Sequence, residues 1–170
     1  MTSSVYFDSS VFLDIFGGRD ADGQIRELFR ELRRKKAKAH TSIITVEEVS
    51  VDHFRKGKIV TENYSKIHRF AQIEGISSEI ALTTAKLEAH LLDSMGTLDD
   101  QEKAKENKRR RWDLFHIATA MSLGCSVFYC SDDDFEKKKN RLGLTSIKFL
   151  QARPENLPFD LRDPKLESST

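Results

Sequence analysis

Twice in this chain a short apolar run gives way to aspartate. Val5-Tyr6-Phe7 ends at Asp8, and Ser126-Val127-Phe128-Tyr129 is followed, past Cys130 and Ser131, by Asp132-Asp133-Asp134. Runs of this length, bounded by polar residues, read as buried strands rather than as helices. From Asp22 to Lys36 the pattern changes. Ile25, Leu28, Phe29 and Leu32 recur at i, i+3, i+4 and i+7, with charges on the other face, which predicts an amphipathic helix. Further strands are expected at Ala37 to Thr41 and Ser146 to Leu150. Strands that alternate with helices predict an α/β fold, with a central parallel sheet and helices on both faces.

The rest of the chain fills in around this frame. Val11-Phe12-Leu13 reads as a short helix or turn, broken at Gly17-Gly18. A helix is expected over Ser42 to Phe54, starting near Ser42 or Thr45. The spacing from Thr45 to Glu48 matches a capping box, a hydroxyl followed three residues later by Glu. Residues 61–73 and 78–95 read as two more helices. Residues 98–112 are almost wholly polar and predict an exposed helix or a loop. At Asp113 the sequence turns apolar, and a helix opened by that acid and closed by Gly124 is expected. A charged helix follows the aspartates to about Arg141. The three prolines all lie after Arg153. Residues 1–150 therefore form the expected domain, and 151–170 a surface tail or arm.

Composition narrows the function only by exclusion. The net charge of +1 over 170 residues means that any attraction for a polyanion comes from local patches. Two cysteines, Cys125 and Cys130, are too few for a disulfide framework or a thiolate zinc site, and they read as buried thiols. No basic leader precedes an apolar run at the start, and no apolar stretch approaches a membrane span. The expectation is a cytoplasmic protein with no membrane partner.

The acids carry the chemical argument. In an open parallel sheet, ligands bind outside the carboxyl ends of the strands. Asp8, Asp132 and Asp134 stand just past apolar strands, Glu48 one turn into the helix after the second strand, and Asp113 at the head of a helix. Taken singly, each has an ordinary role as a helix cap, turn residue or solvated charge. His116, one turn after Asp113, has two readings, as a residue that faces the site and as a partly buried structural histidine, and the second is the favoured one. Taken together, four segments deliver carboxylates to one crevice. Such a cluster stays ionised only with cations among it, and oxygen ligands suit magnesium or manganese.

In order and spacing, four blocks resemble the PIN-domain family, and within it the VapC-like toxins of toxin–antitoxin pairs. They are Val5-Tyr-Phe-Asp8-Ser9-Ser10-Val-Phe-Leu, Thr41-Ser-Ile-Ile-Thr45-Val-Glu-Glu48-Val, Asp113-Leu-Phe-His-Ile-Ala-Thr-Ala and Phe128-Tyr-Cys-Ser-Asp132-Asp-Asp134-Phe135. The resemblance implies a PIN-like three-layer sandwich and metal-dependent endonucleolytic hydrolysis of RNA. In it Asp8, Asp113 and Asp132 bind one or two Mg2+ or Mn2+ ions, and Glu48 binds directly or through water. Asp134 orients these groups, and Ser9 positions a water or a phosphate oxygen.

The resemblance further implies an RNA substrate, a cognate antitoxin protein and a homodimer. Two positions depart from the family pattern: Ser10 stands where Asn is usual, and Cys130 where Thr or Ser is usual. Candidate phosphate contacts are Arg33-Arg34-Lys35-Lys36 and Lys108-Arg109-Arg110-Arg111, the second having the better claim because it adjoins Asp113. Trp112 is expected to pack against the domain. Two other readings compete. A haloacid-dehalogenase-like phosphatase needs Asp-x-Asp after its first strand, whereas Asp8 is followed by Ser9-Ser10. A PIN-like RNA-binding or protein-interaction module with a weakened site differs in its lack of metal-dependent cleavage.

Overall fold

The computed structural model describes residues 3–57, 62–94, 100–131, 140 and 142–161, with the side chains of 100–110 and 159 excepted. Five strands form one sheet: β1 (Ser4–Phe7), β2 (Lys38–Ser42), β3 (Gln72–Glu74), β4 (Val127–Cys130) and β5 (Lys148–Gln151). Their spatial order is β3-β2-β1-β4-β5, and every pairing is parallel. Among the described residues six helices accompany them: α1 (Ser9–Gly17), α2 (Gln24–Arg34), α3 (Ile43–Arg55), α4 (Asn63–His68), α5 (Ser78–Ser94) and α6 (Asp100–Ser122).

Strand alternation builds the layers. Val5 and Phe7 of β1, with Val127 and Tyr129 of β4, pack under Val11 and Phe12 of α1, Leu28 and Leu32 of α2, and Val49 of α3. Tyr6 and Phe128 point the other way, against Leu87 and Leu91 of α5 and Leu114 and Ile117 of α6. Helices thus cover both faces of a parallel sheet. Aromatic stacking joins strand to strand across both faces: Phe7 to Tyr129 at 4.9 Å on one and Tyr6 to Phe128 at 5.1 Å on the other.

Three local expectations are corrected. Residues 72–74, expected to end a helix, form β3. The helix stops at His68, and Gln72-Ile73-Glu74 pairs with His40-Thr41-Ser42 of β2. Helix α3 is capped by Ser42, whose hydroxyl accepts from the Ile44 N–H at 3.2 Å, a cap worth about 1 kcal/mol. Thr45 lies inside the helix and bonds the Thr41 hydroxyl at 2.7 Å, so the expected capping box does not form.

The third correction concerns Asp113, which does not open a helix. Helix α6 begins at Asp100 and runs through it. No glycine or proline lies between Leu98 and Leu123, and Lys, Arg and Glu are good helix formers, so the polar segment continues into the apolar one. Gly124, in the left-handed region at φ 63°, then turns the chain into β4.

Past β5, Ala152 is buried, and Leu157 and Leu161 rest on the layer formed by α1 and α2. The Tyr129 hydroxyl donates to the Asn156 carbonyl at 2.7 Å, so residues 152–161 lie against the domain. The expected charged helix before Arg141, and the end of the tail, lie outside the described residues. Among the described residues no helix is long and apolar enough to cross a membrane.

Candidate active site

The strand order places a crevice before any side chain is considered. From β1 the chain moves outward to β2 and β3, then returns to the other side of β1 for β4 and β5. The order therefore switches between β1 and β4, and their carboxyl ends open a cleft there. Asp8 stands at that point. Its backbone N–H donates to the Tyr129 carbonyl at 2.9 Å, which extends the β1–β4 ladder by one bond and pins the acid to the sheet. Asp8 also caps α1: its Oδ2 accepts from the Ser10 N–H at 3.1 Å and the Ser10 hydroxyl at 2.7 Å. A helix cap and a site acid are here the same residue, because the helix N-terminus faces the cleft.

Ser10, where the family usually has Asn, takes up both sides of this junction. Besides donating to Asp8, its hydroxyl accepts from the Ser131 N–H at 3.1 Å and so ties the end of β4 to the first acid. Cys130 is buried on the opposite face, its thiol 3.9 Å from the Leu150 carbonyl. Both cysteines are free and buried, as expected, and burial followed by the charge of Glu74 pushes the Cys125 thiol up to about 12.

Glu48 reaches the same cleft from α3. Its Oε2 lies 3.1 Å from His116 Nε2, and Asp8 Oδ1 lies 3.8 Å from that same nitrogen. Ser9 is buried beside Glu48, close enough to favour its carboxylate. Glu47 is exposed, so the helix turns the second of the two glutamates inward. Asp113 is half-buried one turn before His116, close enough for its charge to act on the imidazole. The structure thus brings Asp8, Ser9, Glu48 and Asp113 around His116. Asp132 and Asp134 lie outside the described residues.

The sequence reading missed the centre of this arrangement. His116 is 1% exposed and touches two of the acids, and Tyr6 stands behind it with its hydroxyl 2.7 Å from Nδ1. The signals were present in the spacing. Asp113 and His116 are three apart on one helix face, and Tyr6 and Asp8 are two apart along one strand.

Electrostatics follow from this packing. Burial works against charge on His116, but the hydrogen bond to Glu48 and the charges of Asp8, Glu48 and Asp113 outweigh it, and the imidazole is held above its ordinary value. Burial likewise works against the Glu48 carboxylate, yet the bond to His116, the charge of His116 and the nearby Ser9 hold that carboxyl below its ordinary value. The two shifts bound a pH window. Glu48 contributes stability above its unfolded value near 4.5, which is lost as pH falls through the lower folded one. His116 contributes stability below its unfolded value near 6.5, which is lost as pH rises through the higher folded one. In metal-free protein the pair is therefore expected to stabilise most between those values. His116→Gln is expected to flatten the decline in melting temperature as pH rises above about 6.5. An unchanged slope in that range would remove His116 from the charge balance.

The donors suit a hard divalent cation. Asp8 is buried with Oδ2 satisfied by Ser10, and its Oδ1 and Glu48 Oε2 both face His116 Nε2, which brings two carboxylates from separate elements to one point. Among the described residues no three such groups stand close enough together to hold an ion by themselves. Two carboxylates from separate elements with a third acid nearby fit part of such a site.

The basic runs separate by position. Arg33-Arg34-Lys35-Lys36 ends α2 just before β2, at the edge of the sheet away from the acids, where Arg33 donates to the Arg69 carbonyl at 2.8 Å and Arg34 pairs with Glu31. Arg111 is on α6, paired with Glu88 at 3.2 Å, and Trp112 packs on Phe115.

A parallel sheet sandwiched by helices, with acids gathered at its carboxyl edge, has the architecture of a nuclease-type α/β domain. The family model for the PIN domain matches residues 5–140, and the chain belongs to the PIN-domain family, whose members are usually nucleases. No curated protein matches the chain.

Proposed function

We propose that the protein is a divalent-metal-dependent endoribonuclease, the toxin of a toxin–antitoxin pair. The observation that carries the reading is the meeting of Asp8 and Glu48, 40 residues apart in sequence, at one buried imidazole on the carboxyl edge of a PIN-domain sheet. Asp8, Asp113, Asp132 and Glu48 hold Mg2+ or Mn2+, with Asp134 orienting the set. A divalent ion bound there supplies the charge that stabilises the attacking and leaving oxygens of an in-line displacement at phosphorus.

The chain's own residues do the rest. Ser10 locks the Asp8 carboxylate by two bonds, so that one oxygen is committed to structure and the other is free for the reaction. Ser9, beside Glu48, stands where it can orient a water or a phosphate oxygen. Arg111, on the helix that carries Asp113, contacts the RNA backbone with the basic residues just before it. The proposed partners are RNA, a cognate antitoxin and a second copy of the chain, and the proposed compartment is the cytoplasm. Cleavage of structured and single-stranded RNAs, with Mn2+, with Mg2+ and with EDTA, tests the reading. At least one RNA is expected to be cut with metal and none with EDTA. Cleavage indifferent to EDTA would sink the metal-dependent reading.

A further inference from the structure

His116 is 1% exposed beside the acids, and its ring is held from both sides. Nε2 faces Glu48 Oε2 at 3.1 Å and Asp8 Oδ1 at 3.8 Å. Nδ1 faces the Tyr6 hydroxyl at 2.7 Å, and the two rings meet edge-on with centroids 5.9 Å apart. Tyr6 is itself fully buried on the central strand, where its hydroxyl also meets Thr41 and Ser42. Four elements therefore converge on one line of contacts: β1 with Tyr6, α6 with His116, α3 with Glu48, and the head of α1 with Ser9.

This line has a direction. A phenol keeps its proton at neutral pH, so the Tyr6 hydroxyl, 2.7 Å away, can donate to Nδ1. In the neutral ring, Nδ1 then accepts and Nε2 must carry the hydrogen. In the charged ring both nitrogens carry hydrogens. In either state an N–H points from Nε2 toward the carboxylates, so the orientation does not depend on which form is present.

The consequence falls on Glu48. A glutamate on a helix turns about three bonds, and its carboxylate wanders unless something holds it. Glu48 is 28% exposed at its side chain, open enough on the cleft side to move. The bond from His116 selects one position, on the side of the ring that Asp8 also faces. Glu47, exposed on the next face of the helix, has no such choice made for it.

We infer that Tyr6 and His116 form a buried positioning relay, which holds the Glu48 carboxylate on the same side of the imidazole as Asp8, where the two acids can serve a divalent cation together. The inference rests on the proposed nuclease reading and names how that site is kept in order. Neither residue touches RNA. Both act through Glu48, as the hydrogen-bond partners behind metal ligands do.

The test uses the full chain and three variants: Tyr6→Phe, which removes one hydroxyl from a buried ring, Glu48→Gln, and the double variant. In metal-free protein, 15N spectra of the histidine ring report which nitrogen is protonated. Wild type is expected to carry the neutral-form hydrogen on Nε2, and Tyr6→Phe is expected to admit the other tautomer. Calorimetry with Mn2+ then measures affinity. Tyr6→Phe is expected to weaken Mn2+ binding by about 10- to 100-fold. The KM for RNA is expected to stay unchanged. In the Glu48→Gln background the same substitution is expected to cost little more, because the relay has lost what it positions.

A wild-type ring protonated on Nδ1 alone overturns the relay whatever the nuclease assays give. So does Mn2+ affinity that ignores Tyr6→Phe, or that falls equally with and without Glu48. Wild-type protein that binds no Mn2+ would instead remove the metal-dependent reading and the positioning role along with it, a different signature from an ion bound indifferently to Tyr6.

Discussion

Asp8→Asn is expected to lower metal-dependent RNA cleavage on the order of 10³-fold, the scale on which preorganised charge acts in a site of this kind. The substitution changes one oxygen to an amide and little else. Asn caps helices as well as Asp does, and its remaining oxygen can accept the two bonds from Ser10, so α1 keeps its start. What is lost is one of the two charges facing His116 Nε2, and with it the attraction for a cation. Folding is expected to change little, since relief of the buried carboxylate's desolvation offsets the loss of its charge beside His116. Single-turnover cleavage assays beside a thermal melt separate the two effects. Cleavage within a few-fold of wild type, in a variant that melts normally, would take Asp8 out of the chemistry.

The largest effect on stability is expected from Phe7→Ala. Phe7 is fully buried in β1, with ring centroids 4.2 Å from Phe29 of α2 and 4.9 Å from Tyr129 of β4. Truncating a buried phenylalanine typically costs about 3–5 kcal/mol, through lost transfer energy and the cavity left behind. A domain of this size has a total stability of roughly 5–15 kcal/mol, so the loss is a large share of it. Urea unfolding measures it as a lowered midpoint. Phe54→Ala, at a ring 66% exposed on α3, is the matched comparison and is expected to change stability by no more than about 0.5 kcal/mol. Equal midpoints for the two variants would mean that the layer between the sheet and α2 does not carry the stability assigned to it.

Local sequence was enough for some elements and not for others. Val5-Tyr6-Phe7 reads as a strand because three apolar residues lie between polar neighbours. Ile25, Leu28, Phe29 and Leu32 read as one helix face because all four are buried on it. Strand β3 was illegible. Gln72-Ile73-Glu74 has one apolar residue, and it is a strand only because Thr41 and its neighbours offer a ladder to pair with. The full length of α6 was hidden for a different reason. Residues 98–112 are so polar that periodicity has no apolar face to mark, although nothing in them breaks a helix. That misreading moved Asp113 from mid-helix to a helix start.

The candidate site divides along the same line. The sequence by itself determined which residue types stand at strand ends and helix faces, since apolar runs, caps and glycine breaks act over a few residues. It also carried enough ordered motif for the PIN-domain family to be recognised. Only the tertiary structure decided that Tyr6, His116 and Glu48 form one hydrogen-bonded line, and that Ser10 bridges Asp8 to the end of β4. The partners in that line are separated by 110 and 68 residues. Contacts at such separations are set by strand order and by which face of α6 packs on the sheet. Those follow from the burial of the whole core, and no short window of sequence contains them.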